Sequence, residues 1–132
     1  GLDAARVPEV LGIAELAALR RTRIRALSLG LRQRVAIAGT LLCRPRVLLF
    51  DEPLNGLDVP GVLWFRGLLR ELAADGATVV IATHLLAEVV LTAGRVAILQ
   101  RGRLRIDGPL ADLVPADADA REWLESTLME CA

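Results

Sequence analysis

Apolar residues recur at helical spacing at the start of the chain. Val10, Leu11, Ile13, Leu16 and Leu19 predict a short helix or helix pair over Val7 to Ala18, with Gly12 weakening or dividing it. After Leu27-Ser28-Leu29-Gly30, the series Leu31, Val35, Ala38 and Leu42 predicts a helix that begins at Ser28 or Gly30 and closes before Pro45. The period then changes. Val47-Leu48-Leu49-Phe50 is a continuous apolar run ended by Asp51-Glu52-Pro53, the pattern of a strand buried on both faces that runs into a polar loop.

Pro60 suits the first turn of a helix reaching Ala74, with Phe65, Leu68, Leu69 and Leu72 on one face and Gly76 just past its end. Thr78 to Thr83 reads as a second buried strand and Leu85 to Ala93 as a helix. Strand, helix, strand, helix at these intervals implies right-handed crossovers and a parallel sheet. Arg95 to Leu99 and Arg103 to Asp107, separated by Gln100-Arg101-Gly102, predict a hairpin at the sheet edge. Leu110 to Leu113 and Ala118 to Met129 form a helical tail with a turn at Pro115-Ala116-Asp117, and the sequence has no internal repeat.

Composition adds a constraint. The 132 residues suffice for one domain, yet 54% are hydrophobic, so much apolar surface must be buried, against a partner or against further chain. No apolar run approaches the roughly 20 residues of a membrane span, and no secretion signal is present. Cys43 and Cys131 are too few and too far apart for a disulfide framework or metal cluster, which fits a reducing cytosol. Net charge is zero, but Leu16 to Arg46 contains no acid and eight arginines: Arg20, Arg21, Arg23, Arg25, Arg32, Arg34, Arg44 and Arg46. That end would attract phosphate-bearing ligands, or it is a solvated basic face balanced by acids elsewhere. All 16 basic residues are arginine, and lysine is absent.

Asp51 and Glu52 end a parallel strand, where ligands bind in open α/β sheets. There one carboxylate can serve Mg²⁺ or its water shell and the next can polarise an attacking water. Alone, such a dipeptide is more often an acidic turn. Ser28, Leu29 and Gly30 open a helix, so their N–H groups and the Ser28 hydroxyl can converge on an anion, although a plain N-cap accounts for the same residues. His84, the sole histidine, follows the second strand as Asp51 ends the first; a lone histidine is more often structural.

In this order the residues resemble the ATPases of ATP-binding-cassette (ABC) transporters. Leu27 to Arg34 resembles the family signature motif, Val47 to Glu52 the Walker B strand, Leu54-Asn55-Gly56-Leu57-Asp58 the D-loop, and Thr83-His84 the switch-histidine loop. The resemblance covers nearly the whole chain and is strongest from Leu27 to Gly108. It implies an α/β fold: part of a P-loop NTPase (RecA-like) parallel sheet with flanking helices, preceded by part of the ABC helical subdomain. Residues 1–43 would belong to that subdomain, 44–107 to the catalytic core and 108–132 to a C-terminal tail.

By the same resemblance the ligands are ATP and Mg²⁺. Ser28, Gly30 and Gln33 would contact nucleotide held by the opposite subunit of a dimer, Asp51 would serve the metal, and Glu52 would be the general base. His84 would hold the γ-phosphate and water in register, and Asp58 would communicate across the dimer. The partners would be a second ATPase subunit and a transmembrane permease, at the inner face of the cell membrane. Ser28-Leu29-Gly30, Arg32-Gln33-Arg34 and His84-Leu85-Leu86 are similar to the drug- and peptide-exporting branch.

Leu29 and Leu31 depart from the commonest signature. No Gly-x-x-x-x-Gly-Lys-Ser/Thr occurs, and no aromatic precedes Phe50 to stack on adenine. The expectation is that Gly1 lies inside the helical subdomain, that the N-terminal half with the phosphate loop is missing, and that this chain alone is inactive. Two other readings stand beside this one. The first is a regulatory remnant that docks without turnover. The second is a non-transporter ABC ATPase acting on nucleic acid, which the 3% aromatic content disfavours because few side chains could stack on bases.

Overall fold

The computed structural model describes residues 4–130; Cys131 lies outside them. Two compact units divide at Ala82/Thr83, and each is described by itself. Their boundary follows packing, whereas the three segments read above follow motifs.

In the first unit, α1 (Arg6–Ile13) ends one residue beyond Gly12 and is followed by a 3₁₀ turn at Ala17–Leu19. Its terminator is Glu15, at φ 58°. Glu15 N–H donates to Gly12 O at 3.0 Å and Leu16 N–H to Leu11 O at 2.8 Å, the paired reverse bonds of a Schellman end. A non-glycine residue accepts the left-handed conformation here, and its carboxylate receives Arg34 at 2.6 Å. A second 3₁₀ turn, Ile24–Ala26, leads to α2 (Leu29–Leu41). The buried stripe of α2 is Ile37, Ala38 and Leu41, with the expected Leu31, Val35 and Leu42 only partly buried. Burial is rotated toward the side where Val10, Ala14 and Leu16 join the same core.

β1 (Val47–Asp51) and β2 (Thr78–Ala82) pair in parallel, with Val47 opposite Thr78 and Asp51 opposite Ala82. Between them runs α3 (Val59–Ala74). Asp58 caps it by accepting from Gly61 N–H at 2.9 Å, and Pro60 lies in its first turn. Gly76, at φ 81°, ends it through Gly76 N–H to Ala73 O and Ala77 N–H to Leu72 O. The core gathers Leu48, Phe50, Leu54, Phe65 and Leu68 with the α1 and α2 residues, and Phe50 meets Phe65 edge-on at 5.6 Å.

The strands are not buried on both faces. Leu48 and Phe50 face the core, whereas Val47, Leu49 and Val80 are 58%, 74% and 50% exposed, and no β2 residue is fully buried. Within the first unit, α3 and the α1–α2 pair lie against the Leu48/Phe50 face, and no described residue of that unit covers the other. A continuous apolar run shows that both faces suit burial; burial itself needs a second layer.

The second unit holds α4 (Leu86–Thr92), β3 (Arg95–Gln100), β4 (Arg103–Pro109), α5 (Leu110–Leu113) and α6 (Ala120–Glu130). β3 and β4 form their own antiparallel sheet and are not an edge of the parallel one. Gln100 pairs with Arg103 across Arg101 (φ 49°) and Gly102 (φ 72°), so both turn residues are left-handed, as a two-residue type I′ turn requires. Ile98, Leu110 and Leu124 form this unit's core. Arg95 binds Asp107 at 2.7 Å across the hairpin. No helix among the described residues is long and apolar enough to cross a membrane.

Two predictions follow from burial and charge. Leu48→Ala should cost about 2–5 kcal/mol, while Leu49→Lys should leave stability within about 0.5 kcal/mol and reduce self-association and hydrophobic-dye binding. Denaturant melts with light scattering check this, and equal costs at the two positions would refute the one-sided sheet. In the hairpin, the hydrogen bond from Arg95, then its charge, holds Asp107 below the ordinary 3.8. A carboxylate depressed on folding stabilises above its unfolded value and loses that contribution as pH falls through the folded one. Carboxyl NMR should therefore show Asp107 titrating below 3.8 and moving upward in Arg95→Ala, which removes both the hydrogen bond and the charge. Both groups are exposed, so about 1 M salt should weaken the effect.

Candidate functional site

Ser28 is the N-cap of α2. Its Oγ accepts from Leu31 N–H at 3.2 Å, and its carbonyl accepts from Arg32 N–H at 2.9 Å. Capping uses the hydroxyl only as an acceptor, so its O–H remains a donor. The Leu29 and Gly30 amides begin the helix, where N–H groups have no intrahelical acceptor. The plain cap and an anion-binding helix start are thus compatible in one geometry.

Asp51, exposed, is the last residue of β1. Glu52, half-buried, stands next at φ 46°, and its N–H donates to Ala82 O at 2.9 Å, extending the parallel pairing one residue beyond the strand. A left-handed non-glycine residue at a strand end costs conformational energy and occurs where the surroundings enforce it. The loop then tightens through Asn55 N–H to Glu52 O at 3.2 Å and Leu57 N–H to Leu54 O at 3.1 Å, with Pro53 and Leu54 buried.

This loop packs against the start of α2. Gln33 Nε2 donates to Pro53 O at 3.2 Å. A methyl group built on Gly30 would lie 2.8 Å from Gly56 O, and one on Gly56 would lie 2.6 Å from the Leu29 side chain. The structure therefore brings Leu29, Gly30 and Gln33, just after Ser28, against Pro53, Gly56 and Leu57 of the loop between Glu52 and Asp58. Asp58 spends one carboxylate oxygen on the α3 cap. His84 lies in the second unit, exposed, beside Thr83, whose Oγ1 accepts from Leu85 N–H at 3.2 Å.

The Pro53 carbonyl and Gly56 were not singled out by sequence reasoning as contacts of α2; the Asn55-Gly56 turn signal was the only cue. Arg34 likewise reads from sequence as charge and as part of the signature-like segment, not as a packing contact. It reaches Glu15 and lies 4.7 Å from the centre of the Trp64 ring, whose Nε1–H donates to Ile13 O at 2.8 Å, so it ties α1, α2 and α3 together. Among the described residues no group of three or more His, Cys, Asp and Glu side chains could hold a metal ion. Asp51 and Glu52 supply hard oxygen donors, a set that fits Mg²⁺ held mainly by water and phosphate oxygens.

Residues 3–55 match the family model described as ABC transporter. The chain is 39% identical over 105 residues to the "Uncharacterized ABC transporter ATP-binding protein YhcH" of Bacillus subtilis (strain 168), covering 79% of this chain and 34% of that protein. It is 47% identical over 93 residues to the "Molybdenum import ATP-binding protein ModC" of Mycobacterium tuberculosis (strain ATCC 25618 / H37Rv), covering 70% of this chain and 25% of that one. A solved "Structure of ATP binding subunit of ABC transporter" matches with TM-score 0.81 at 26% identity, over 99% of this chain and 56% of that one. Together these findings put the chain in the ABC transporter ATPase domain family, with the P-loop NTPase fold. It spans about a third or less of the length of the two curated relatives.

The glycine contact gives a prediction. Gly30→Ala should destabilise by roughly 1–3 kcal/mol, because the obstructing atom is a main-chain carbonyl that cannot rotate away. Gly39→Ala in the same helix, with nothing within 4 Å, should be neutral or stabilising. Paired urea melts decide, and equal behaviour of the two variants would remove the contact.

Proposed function

We propose that this chain is the catalytic-carboxylate portion of the ATP-binding subunit of an ABC transporter, whose ATP hydrolysis drives export. The observation that carries the reading is Glu52, fixed in a left-handed conformation at the end of a parallel strand, on a loop packed against the start of α2.

In this reading Glu52 accepts a proton from the attacking water at its carboxylate, and His84 positions the γ-phosphate. Ser28 O–H and the Gly30 amide, with Gln33 behind them, meet nucleotide held by a second ATPase subunit, and Asp58 communicates across that dimer. Asp51 would hold Mg²⁺ or its water shell; bound, the ion neutralises phosphate charge. A phosphate loop must come from outside the 132 residues, which contain neither its motif nor a lysine. The chain alone therefore neither binds ATP tightly nor hydrolyses it. A second reading is an ATPase half retained for docking without turnover.

The implied partner is a transmembrane permease, which places the subunit in the cytoplasm at the inner face of the membrane. Export is supported by Ser28-Leu29-Gly30, Arg32-Gln33-Arg34 and His84-Leu85-Leu86. The relative named as a molybdenum import protein argues the other way, and transport into or out of vesicles distinguishes the two.

Joined to an N-terminal half that supplies the phosphate loop, the chain should hydrolyse ATP. Glu52→Gln should then lower turnover by about 10²–10⁴-fold and spare ATP binding. Undiminished turnover in that variant would remove Glu52 as the base, and absence of turnover in the unsubstituted assembly would favour the docking reading.

A further inference from the structure

Of the eight arginines between Leu16 and Arg46, two make ion pairs, Arg32 and Arg46 stand apart without one among the described residues, and four lie together on one segment. Arg34 and Arg44 are committed to Glu15 and Glu9. Arg20, Arg21, Arg23 and Arg25 are not. All are in an exposed segment or beside it, and among the described residues none makes an ion pair. The segment is nonetheless held in place. Leu16, 1% exposed, and Leu27, 8% exposed, anchor its two ends. Thr22 N–H donates to Leu19 O at 2.8 Å, and Ala26 N–H to Arg23 O at 2.9 Å. Ile24 stands between Arg23 and Arg25 and is 61% exposed.

We propose that residues 20–25 form a docking surface for anionic lipid headgroups, with Ile24 entering the interface between Arg23 and Arg25. Guanidinium groups pair bidentately with phosphate oxygens, and the backbone bonds of the turn keep the four arginines on one short segment. Each arginine near a negatively charged leaflet contributes about 1 kcal/mol, roughly fivefold in partition. The exposed isoleucine selects the lipid source: an apolar side chain amid the charges gains by entering a bilayer interface and gains nothing against a nucleic-acid backbone. No aromatic residue lies between Leu16 and Arg46 to stack on a base. This surface does not involve Asp51, Glu52 or His84, so the inference stands apart from the ATPase reading.

Flotation of the 132-residue chain with vesicles tests it, since aggregates sink while bound protein rises. Vesicles with about one-third phosphatidylglycerol should carry the chain at about 0.1 M salt and release it near 0.5 M, and pure phosphatidylcholine should not carry it. Replacing all four arginines by glutamine should lower partition at least about a hundredfold. The four-lysine variant, which keeps the charge and loses the bidentate contact, should bind more weakly than the unsubstituted chain and more strongly than the four-glutamine variant. Ile24→Ser should weaken binding several-fold with the salt dependence unchanged. Circular dichroism confirms that each variant keeps the fold. Three results would overturn the proposal: equal flotation on neutral vesicles, undiminished binding by the four-glutamine variant, or displacement from vesicles by an equimolar short DNA duplex, which would identify nucleic-acid phosphate as the ligand.

Discussion

The parallel pairing of β1 with β2 is the constraint from which the first unit follows. Its register sets Asp51 opposite Ala82, and one further bond, Glu52 N–H to Ala82 O, carries the pairing past the strand end. That bond holds Glu52 where the chain must turn, and the left-handed turn sends Pro53 and Leu54 back into the core. The sheet is itself held by one face. Leu48 and Phe50 pack with Phe65 and Leu68, each buried side chain contributing roughly 1.5–3 kcal/mol. Loss of this layer would release the strand end along with the core.

Legibility in the sequence tracked how local the determinant is. α3 was readable at both ends because Pro60 and Gly76 act on their own backbone, and the two-residue turn of the hairpin was bracketed by Gln100-Arg101-Gly102. The stop of α1 was not readable, since Glu15 takes a conformation usually left to glycine and Gly12, the obvious breaker, stays inside the helix. Burial was misjudged at β1 and β2 for a related reason. Residue type reports what a face could bury, and only tertiary structure reports what is there to cover it. The candidate residues were visible as motifs, but the contacts that assemble them, Gln33 to the Pro53 carbonyl and Gly30 against Gly56, involve main-chain atoms that carry no sequence signal.

The distribution of arginine shows a comparable split. Arg34 is surrounded by fixed partners and acts as a tie among three helices, so its charge is spent on structure. Arg6 is likewise paired to Glu9 and donates to Leu41 O at 3.1 Å. Among the described residues Arg20, Arg21, Arg23 and Arg25 have no such partners, although Leu16 and Leu27 bury the two ends of their segment. An ordered, unpaired, single-sign surface carries a standing electrostatic self-energy that only an external anion or salt relieves.

The contact between α2 and the loop after β1 has a mechanical consequence. Two backbones meet there at a spacing that a single methyl group would violate, and packed main chain is nearly incompressible. Gly30 of α2 is thus held against Gly56, and Gln33 of the same helix against the Pro53 carbonyl. Asp58 holds the far end of that loop on α3, which Phe65 anchors in the core. At the near end, Glu52 is the one non-glycine residue of the loop in the left-handed conformation, which the bond to Ala82 O holds in place.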